Sequence, residues 1–222
     1  MKKHLPLIAI LIISFIAILS IMQNAYHKKV ADIRLLPILG NKTIYDLDTT
    51  YHTVAGFSFI NQLGDTITDE DVKDKNYVVE FFFTTCESIC PIMNKNMMKV
   101  AAAFDSDSTF KILSHTVKPE EDTIASLLVY ANEHKANPKN WWFLTGDKKA
   151  LYHMARNSYL FNGSEGDGGT DDFIHTQFFL LVDKQKHIRG FYDGTNDAEV
   201  DKLIKDIVLL KSEQKTNAEN HK

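Results

Sequence analysis

The sequence predicts an α/β domain in which helices flank a central mixed sheet, and an apolar segment precedes this domain at the N-terminus. Segments rich in aromatic and β-branched residues alternate with segments whose apolar residues follow a helical period. The last two strand segments are joined by a short polar turn instead of a helix. Strands connected through helices run parallel and strands connected by short turns run antiparallel, so the predicted sheet contains both kinds of pairing.

The composition is that of one globular domain with extensions. Of the 222 residues, 44% are hydrophobic and 24% are charged, as in ordinary globular proteins. The net charge of −4 argues against a nucleic-acid-binding protein, because such proteins usually display a basic patch or stripe. The chain has only two cysteines, which are too few to form the disulfide scaffold of a domain of this size.

The N-terminal segment, residues 1–24, predicts a transmembrane signal anchor. Residues 5–22 are apolar apart from one proline and two serines, a length at the short end of what spans a bilayer. No convincing cleavage site of small residues follows, which favours an uncleaved anchor over a cleaved signal peptide. A single anchor of this kind usually places the following domain outside the cytoplasm. We therefore expect a single-pass protein of the inner (cytoplasmic) membrane whose domain faces the periplasm or another extracytoplasmic space.

The segments that follow the anchor lead into the sheet. Residues 25–47 carry no strong period and predict a linker, and the domain itself is expected over residues 48–211. An alternating segment at residues 53–65 ends in a turn signal and predicts a short strand and hairpin. A short edge segment is expected at residues 66–72. Residues 77–84 are apolar and aromatic, and they predict the first buried central strand.

The middle of the chain predicts strands and helices in alternation, from its apolar periods and its helix-start signals. The expected elements are a helix over residues 92–104, a strand over 110–117, a helix ending near residue 135, a strand over 141–145, and a helix capped by Asp147 that ends near residue 159.

The C-terminal part predicts a loop, a hairpin and a last helix. The loop, residues 162–172, is rich in glycine. Strands at residues 176–182 and 187–192 form the expected hairpin, and apolar residues at helical spacing predict a helix over residues 197–210. The tail, residues 212–222, is polar and is expected to be disordered.

The two cysteines, Cys86 and Cys90, lie where the first central strand ends and a helix begins. Unpaired backbone amides at a helix start carry partial positive charge, which lowers the pKa of a thiol. A thiol pair directly after the first central strand, in this order of strands and helices, predicts the thioredoxin-like fold. In an extracytoplasmic compartment such a pair is a structural disulfide, a redox pair or a pair of metal ligands.

The spacing Cys-x-x-x-Cys indicates that both thiols point to one spot. Residues i and i+4 of a helix lie one turn apart on the same face, so Cys86 and Cys90 are expected to share a disulfide or a metal ion. Two thiolates select soft ions such as Cu(I) or Zn(II), and a third ligand would complete a trigonal Cu(I) site. Met93 and Met97 continue the same helical stripe, which favours core packing over a ligand role.

His175 is the favoured third ligand. It ends the glycine-rich loop and precedes a strand, at a turn that faces the thiols in thioredoxin-like folds. Thiol oxidoreductases usually carry a proline at this turn, whereas the present chain has none after Pro138, which weakens a disulfide-exchange function. His115, near a strand end, is the second choice. Asp171 and Asp172 either orient His175 by accepting a hydrogen bond or remain solvated loop carboxylates.

Four features of the chain together resemble one protein family. They are the sequence GFSF at residues 56–59, FTTCESICP at residues 83–91, VKPEEDT at residues 117–123, and His175 before a strand. In this combination the chain resembles the Sco (SenC) family of thioredoxin-like copper-binding proteins needed for cytochrome c oxidase assembly, over roughly residues 54–210. Glu87, Lys118 and Ile174 depart from the family, in which proline, aspartate and aspartate are common at these positions.

The resemblance implies a copper site and a partner. Cys86, Cys90 and His175 would bind one copper ion, as Cu(I) or Cu(II), in a membrane-anchored metallochaperone that is not primarily an enzyme. The implied partner is subunit II of cytochrome c oxidase, or another copper-site protein. Copper binding requires the reduced dithiol because a disulfide has no thiolate to offer, so Cys86 and Cys90 would also form a redox-active disulfide.

Other functions of the thiol pair remain open at this stage. The main alternative is a thiol–disulfide oxidoreductase that reduces cysteines of the oxidase copper site and does not need His175. A peroxidase-like thiol enzyme would form a sulfenate with peroxide, but no arginine lies close in sequence to assist such a thiolate. A purely structural disulfide would resist mild reductants and bind no metal.

Overall fold

The structure is a computed structural model that describes residues 14–20, 22, 35–45, 48–161, 169 and 172–220. The chain divides into two compact units, one formed by Leu36–Lys211 and the other by Met1–Leu35 together with Ser212–Lys222. The larger unit contains the sheet and both cysteines.

Most of the expected anchor, residues 1–24, lies outside the described residues. Residues 14–20 of this segment are helical. Among the helices that the structure describes, none combines the length and the apolar character needed to cross a bilayer.

The elements of the described residues alternate as the apolar pattern predicts. They are, in chain order, β1 (Lys42–Tyr45), β2 (Asp48–Tyr51), β3 (Ser58–Ile60), β4 (Thr66–Thr68), β5 (Asn76–Phe82), α1 (Cys90–Ala103), β6 (Phe110–Thr116), α2 (Ile124–Glu133), β7 (Trp141–Leu144), α3 (Lys148–His153) with a π-helical turn (Met154–Ser158), β8 (Phe178–Val182), β9 (Ile188–Asp193) and α4 (Asp197–Asn220). Asp147 caps α3 as expected, since its carboxylate accepts a hydrogen bond from the backbone N–H of Ala150 at 2.8 Å.

A five-stranded mixed sheet of order β7-β6-β5-β8-β9 forms the centre of the larger unit. The pairs β5–β6 and β6–β7 are parallel, and the pairs β5–β8 and β8–β9 are antiparallel. The predicted α/β class with a mixed sheet is therefore confirmed. In the parallel pair, Phe82 lies opposite Thr116, so the last residues of β5 and β6 reach the same edge of the sheet.

Two hydrophobic cores cover the two faces of the sheet. Successive side chains of a strand point to opposite faces, so Val78 and Phe82 of β5 pack with α1, α2 and α4, whereas Phe81 packs with α3 and β3. Met93 and Met97 of α1 are fully buried in the first core. Their predicted role in core packing is confirmed.

Two boundaries differ from the predicted ones. Part of the expected linker, residues 25–47, packs on the domain, because the buried Arg189 donates hydrogen bonds to the carbonyl groups of Leu36 and Pro37 at 2.6 and 3.0 Å. The last helix extends well beyond residue 210, so residues 212–220, where the sequence predicts a disordered tail, are helical. Five of the nine residues 212–220 are lysine, glutamate, glutamine or alanine, which all favour helix.

Candidate metal centre

The thiols lie in the connection between β5 and α1. Pro91 occupies the first turn of α1, where a missing backbone N–H does no harm, so the helix begins at Cys90. Cys86 lies before the helix in irregular backbone. The expectation that Cys86 and Cys90 share one face of a helix is therefore wrong. Both line one pocket nonetheless, because the connecting segment, residues 83–89 (the thiol loop), turns where the Cys86 backbone N–H donates to the Phe83 carbonyl at 3.2 Å.

The two thiols have opposite acidities. Partial burial would raise the pKa of Cys86, but hydrogen bonds to its sulfur from the thiol and backbone N–H of Cys90, and from Ser88, outweigh burial and lower this pKa. Cys90 is only 4% exposed, and its pKa is strongly raised by burial, by the hydrogen bond with Cys86 and by the charge on Cys86. Cys86 is therefore the more acidic thiol of the pair and Cys90 the less acidic one.

Asp122 ties the thiol loop to the end of β6. Its side chain is 1% exposed and accepts hydrogen bonds from the Thr84 backbone N–H at 3.2 Å and from the Thr84 hydroxyl at 2.5 Å. The Thr116 hydroxyl donates to the other carboxylate oxygen. Asp122 precedes α2, which begins after its capping residue Thr123. The Asp122 carboxylate accepts hydrogen bonds from the loop that presents the cysteines.

His175 lies on the irregular segment that precedes β8, residues 172–177, which we call the histidine arm. The His175 side chain is exposed, and its ring centroid lies 4.3 Å from that of Phe173. Asp172 pairs with Arg156 through two contacts of 2.6 Å, so its carboxylate is engaged away from the imidazole. A role for Asp172 in orienting His175 stays a prediction. Asp171 lies outside the described residues.

Cys86, Cys90 and His175 line one pocket of about 140 Å³. The thiol loop, the histidine arm and the ends of β5 and β6 contribute its walls, which are mostly apolar. The remaining lining residues are Phe81, Phe82, Phe83, Ser88, Ile89, Val117, Phe173, Ile174 and Thr176. A small apolar pocket with three soft or borderline donors suits a soft cation that must be kept from water.

The three donors share the pocket without forming a closed cluster. Among the described residues, no three side chains of His, Cys, Asp or Glu are close enough to hold one metal ion together. The role of His175 as third ligand therefore stays a prediction.

His115, the second choice for the third ligand, is a core residue. Its ring is fully buried, stacks on Phe81 at 5.3 Å between centroids, and hydrogen-bonds through Nε2 with the Tyr159 hydroxyl at 3.3 Å. Burial lowers the pKa of His115 to about 3, so the ring is neutral at physiological pH. It does not line the pocket.

Glu80 is a buried carboxyl group that sequence reasoning missed. It lies on β5 within a seven-residue buried strand, and its Oε1 accepts a hydrogen bond from the Ser114 hydroxyl at 2.6 Å. Its Oε2 has no hydrogen-bond partner. Burial raises the pKa of Glu80 to about 7, which the Ser114 hydrogen bond only partly opposes. When ionised, Glu80 adds to the raised pKa of Cys90.

The fold and the position of the thiols define the class of protein and then its family. A mixed sheet with a cysteine pair between its central strand and the following helix is a thioredoxin-like domain. The SCO1/SenC family model matches residues 46–210, and the chain belongs to this family. The resemblance inferred from the sequence is confirmed.

Similar proteins of this family come from bacteria and plants. The chain is 29% identical over 164 residues to the SCO1 protein homolog of Bacillus subtilis, covering 72% of this chain and 83% of that protein. The structure of BsSco, described as a Sco-family cytochrome c oxidase assembly protein with a disulfide switch, matches at 28% identity and TM-score 0.62, over 72% of this chain and 94% of that one. Arabidopsis thaliana ScoI, crystallised with copper bound, matches at 25% identity and TM-score 0.55, over 70% and 98%.

Proposed function

We propose that this protein is a copper chaperone that binds one copper ion as cargo through Cys86, Cys90 and His175. In this role it supports assembly of the copper site of cytochrome c oxidase. The observation that carries the proposal is the shared pocket, which gathers both cysteines of the chain and one exposed histidine. Two sulfurs and an imidazole are donors that prefer Cu(I) to hard cations such as Mg²⁺ or Ca²⁺. Membership of the SCO1/SenC family and the copper-bound ScoI relative support the same cargo.

The two thiols are expected to bind the incoming copper ion one after the other, because their pKa values are shifted in opposite directions. Cys86, with its lowered pKa, offers the thiolate that meets an incoming ion first. Cys90 keeps its proton until the ion arrives, because its pKa is raised. Loading therefore releases a proton from Cys90, and affinity for the ion rises with pH.

Closure of His175 completes the proposed site. Because the imidazole is exposed and does not yet cluster with the sulfurs, the histidine arm or its side chain must move toward the thiol loop on loading. The reverse movement opens one coordination position, which suits a protein that must release its cargo. A resident cofactor site would gain nothing from such an opening.

We also propose a location and a recipient. Residues 1–24 anchor the chain in the inner (cytoplasmic) membrane, and the domain faces the periplasm or another extracytoplasmic space. The apolar run at residues 5–22 supports the anchor. The recipient is subunit II of the oxidase or another protein with a copper site, a proposal that the similarity to BsSco, a Sco-family cytochrome c oxidase assembly protein, supports.

A second candidate function is thiol–disulfide exchange with the cysteines of the oxidase copper site. The unequal acidities of the two thiols favour it, because an accessible thiolate beside a buried thiol is the arrangement of an attacking and a resolving cysteine. Cys86 would attack a target disulfide, and Cys90 would then attack the mixed disulfide. The target gains two electrons and leaves as a dithiol, while Cys86 and Cys90 become a disulfide. This reaction does not need His175.

An anaerobic Cu(I) titration separates the two functions. We expect the reduced full-length chain in detergent to bind one Cu(I), and Cys86→Ser and Cys90→Ser to abolish stoichiometric binding. His175→Ala should weaken binding, whereas His153→Ala, at an exposed position on α3, should not. An unchanged affinity in His175→Ala would contradict the three-ligand site. Disulfide-reducing activity that survives His175→Ala would support the second function.

A further inference from the structure

We infer that Arg156 is a positioning residue for the metal centre: its ion pair with Asp172 holds the histidine arm where His175 can reach the thiols. This inference rests on the proposed function, in which His175 is a ligand. It assigns a role to a residue that lies 19 positions before His175 on a different element. Arg156 itself does not line the pocket.

The ion pair is well formed and sheltered. Each terminal nitrogen of Arg156 lies 2.6 Å from one carboxylate oxygen of Asp172. The two side chains are only 15% and 6% exposed. A bidentate pair of this kind fixes both the distance and the relative orientation of its partners, and low exposure limits screening by salt. An exposed single-contact pair would leave the arm much freer.

Arg156 projects from an unusual piece of backbone. The π-helical turn Met154–Ser158 follows α3 directly, and the backbone N–H of Tyr159 donates to the Met154 carbonyl at 2.8 Å, five residues back. The wider turn shifts the side chains that follow it relative to a continued α-helix. The neighbouring residues Met154, Ala155 and Ser158 are buried, so the turn is a rigid base for the guanidinium.

Tyr152 provides a second tie to the same arm. Its hydroxyl donates to the Val117 carbonyl at 2.7 Å, and its ring belongs to the same buried core as the Ile174 side chain, which is 6% exposed. The Arg156 guanidinium lies 5.4 Å from the Tyr152 ring, so the two ties support each other. The arm is thus held at residues 172 and 174, immediately before the exposed His175.

The ion pair at Asp172 restricts movement to the C-terminal part of the histidine arm, which contains His175. With the backbone held at Asp172, closure of His175 involves its side chain and a short stretch of chain. If the ion pair is lost, the arm gains conformational freedom that ligation must remove again, and the affinity for the ion falls. Loss of the ion pair lowers the affinity for the ion only through His175, so this loss of affinity must disappear when His175 is replaced.

A double-mutant cycle tests this dependence. On the full-length chain in detergent, Cu(I) affinity is measured anaerobically by competition with a chromogenic chelator for Arg156→Gln and Asp172→Asn, each alone and combined with His175→Ala. We expect each single variant to bind Cu(I) about tenfold more weakly than the wild type. In the His175→Ala background the same substitutions should change affinity by less than about twofold. Equal losses in both backgrounds would overturn the inference.

Arg189→Gln is the matched control. Arg189 forms a buried ion pair with Asp183 at 2.9 Å, at the end of the sheet opposite the thiols, since Val182 pairs with Tyr77 at the start of β5. Its loss should lower the melting temperature and leave Cu(I) affinity unchanged. Asp172→Asn keeps the size of the side chain and serves if Arg156→Gln does not fold.

The outcomes separate the inference from the proposed function. If His175→Ala weakens binding and neither Arg156→Gln nor Asp172→Asn does, the positioning role is wrong and the three-ligand site stands. If His175→Ala itself has no effect, the proposed site fails and the positioning role fails with it.

Discussion

The thiol loop and the histidine arm line the same pocket but are built differently. The thiol loop leads into α1 and is tied to β6 by the buried Asp122 carboxylate. The histidine arm has no regular structure and presents an exposed imidazole, and its ties include the Asp172–Arg156 ion pair and the hydrogen bonds of Gln177. Under the proposed function, the thiol loop is the preformed half of the centre and the histidine arm is the half that closes. This difference would suit a copper chaperone, because a fully preformed site would hold its cargo too firmly to release it.

Loss of the Asp122 carboxylate should have the largest effect, because it breaks the more rigid half. Asp122→Ala leaves the Thr84 backbone N–H and the Thr116 hydroxyl without their buried partner. We expect the free energy of unfolding to fall by about 4 kcal/mol, measured by urea denaturation, and Cu(I) affinity to fall with it.

Asp147→Ala is the control for this prediction, since the exposed Asp147 makes one capping hydrogen bond to α3. Asp147→Ala should lower the free energy of unfolding by only about 1 kcal/mol and leave Cu(I) affinity unchanged. If the two substitutions lower the free energy of unfolding equally, the buried hydrogen bonds of Asp122 do not stabilise the thiol loop as expected.

The next largest effect is expected on the pH dependence of stability, through Glu80. This residue is buried in β5, the strand that leads into the thiol loop. Its pKa is about 7 in the folded chain against an ordinary value of 4.5, so the folded state retains a proton that the unfolded state releases between these values. The contribution of Glu80 to stability is therefore fully present below about pH 4.5, is lost as the pH rises through this window, and changes no further well above pH 7. We expect this fall to be about 3 kcal/mol.

Glu80→Gln should remove that part of the pH dependence, because an amide keeps an oxygen that accepts the Ser114 hydrogen bond and carries no charge. Urea denaturation of the reduced protein at pH 5 and pH 8 measures it. Glu133→Gln, at an exposed position at the end of α2, should leave the dependence as it is in the wild type. A wild-type stability that does not fall between these two pH values would contradict the raised pKa of Glu80.

The smallest effect concerns the aromatic contact of the histidine arm. Phe173 lies 4.3 Å from His175 and 5.5 Å from Phe83 of the thiol loop, measured between ring centroids, so it connects the two halves. Phe173→Leu should weaken Cu(I) affinity about threefold. Phe178→Leu, whose side chain is 43% exposed on β8 and does not line the pocket, should not change it. A larger loss than that of Arg156→Gln would mean that this ring contact, rather than the ion pair, holds the arm.

Local sequence signals were sufficient for the elements and for the three proposed ligands. The aromatic run before Cys86 forms β5. Because proline is tolerated in the first turn of a helix, Pro91 indicates that the helix starts beside it. The position of His175 directly before a strand also followed from the pattern of apolar residues. The spacing argument failed at Cys86, because a helical i, i+4 relation assumes that both residues are in the helix, and the proline allows only Cys90 to be so.

The residues that hold the centre together were not predictable in the same way. Asp122 contacts Thr84 across 38 positions, Glu80 contacts Ser114 across 34, and both contacts exist only because β5 and β6 pair in one register. The sequence offered Asp172 either as a partner of His175 or as a solvated carboxylate, and its ion pair with an arginine of the π-helical turn was not foreseen.

The sequence by itself determined the fold class, the family, the thiol pair and the histidine, because strand and helix periods, a proline at a helix start and short motifs are local properties of the chain. Only the tertiary structure decided which thiol is the more acidic, which carboxylate ties the thiol loop and which arginine pairs with the histidine arm. The physical reason is that burial and hydrogen bonding between distant segments set these properties, and both arise only when the sheet has assembled.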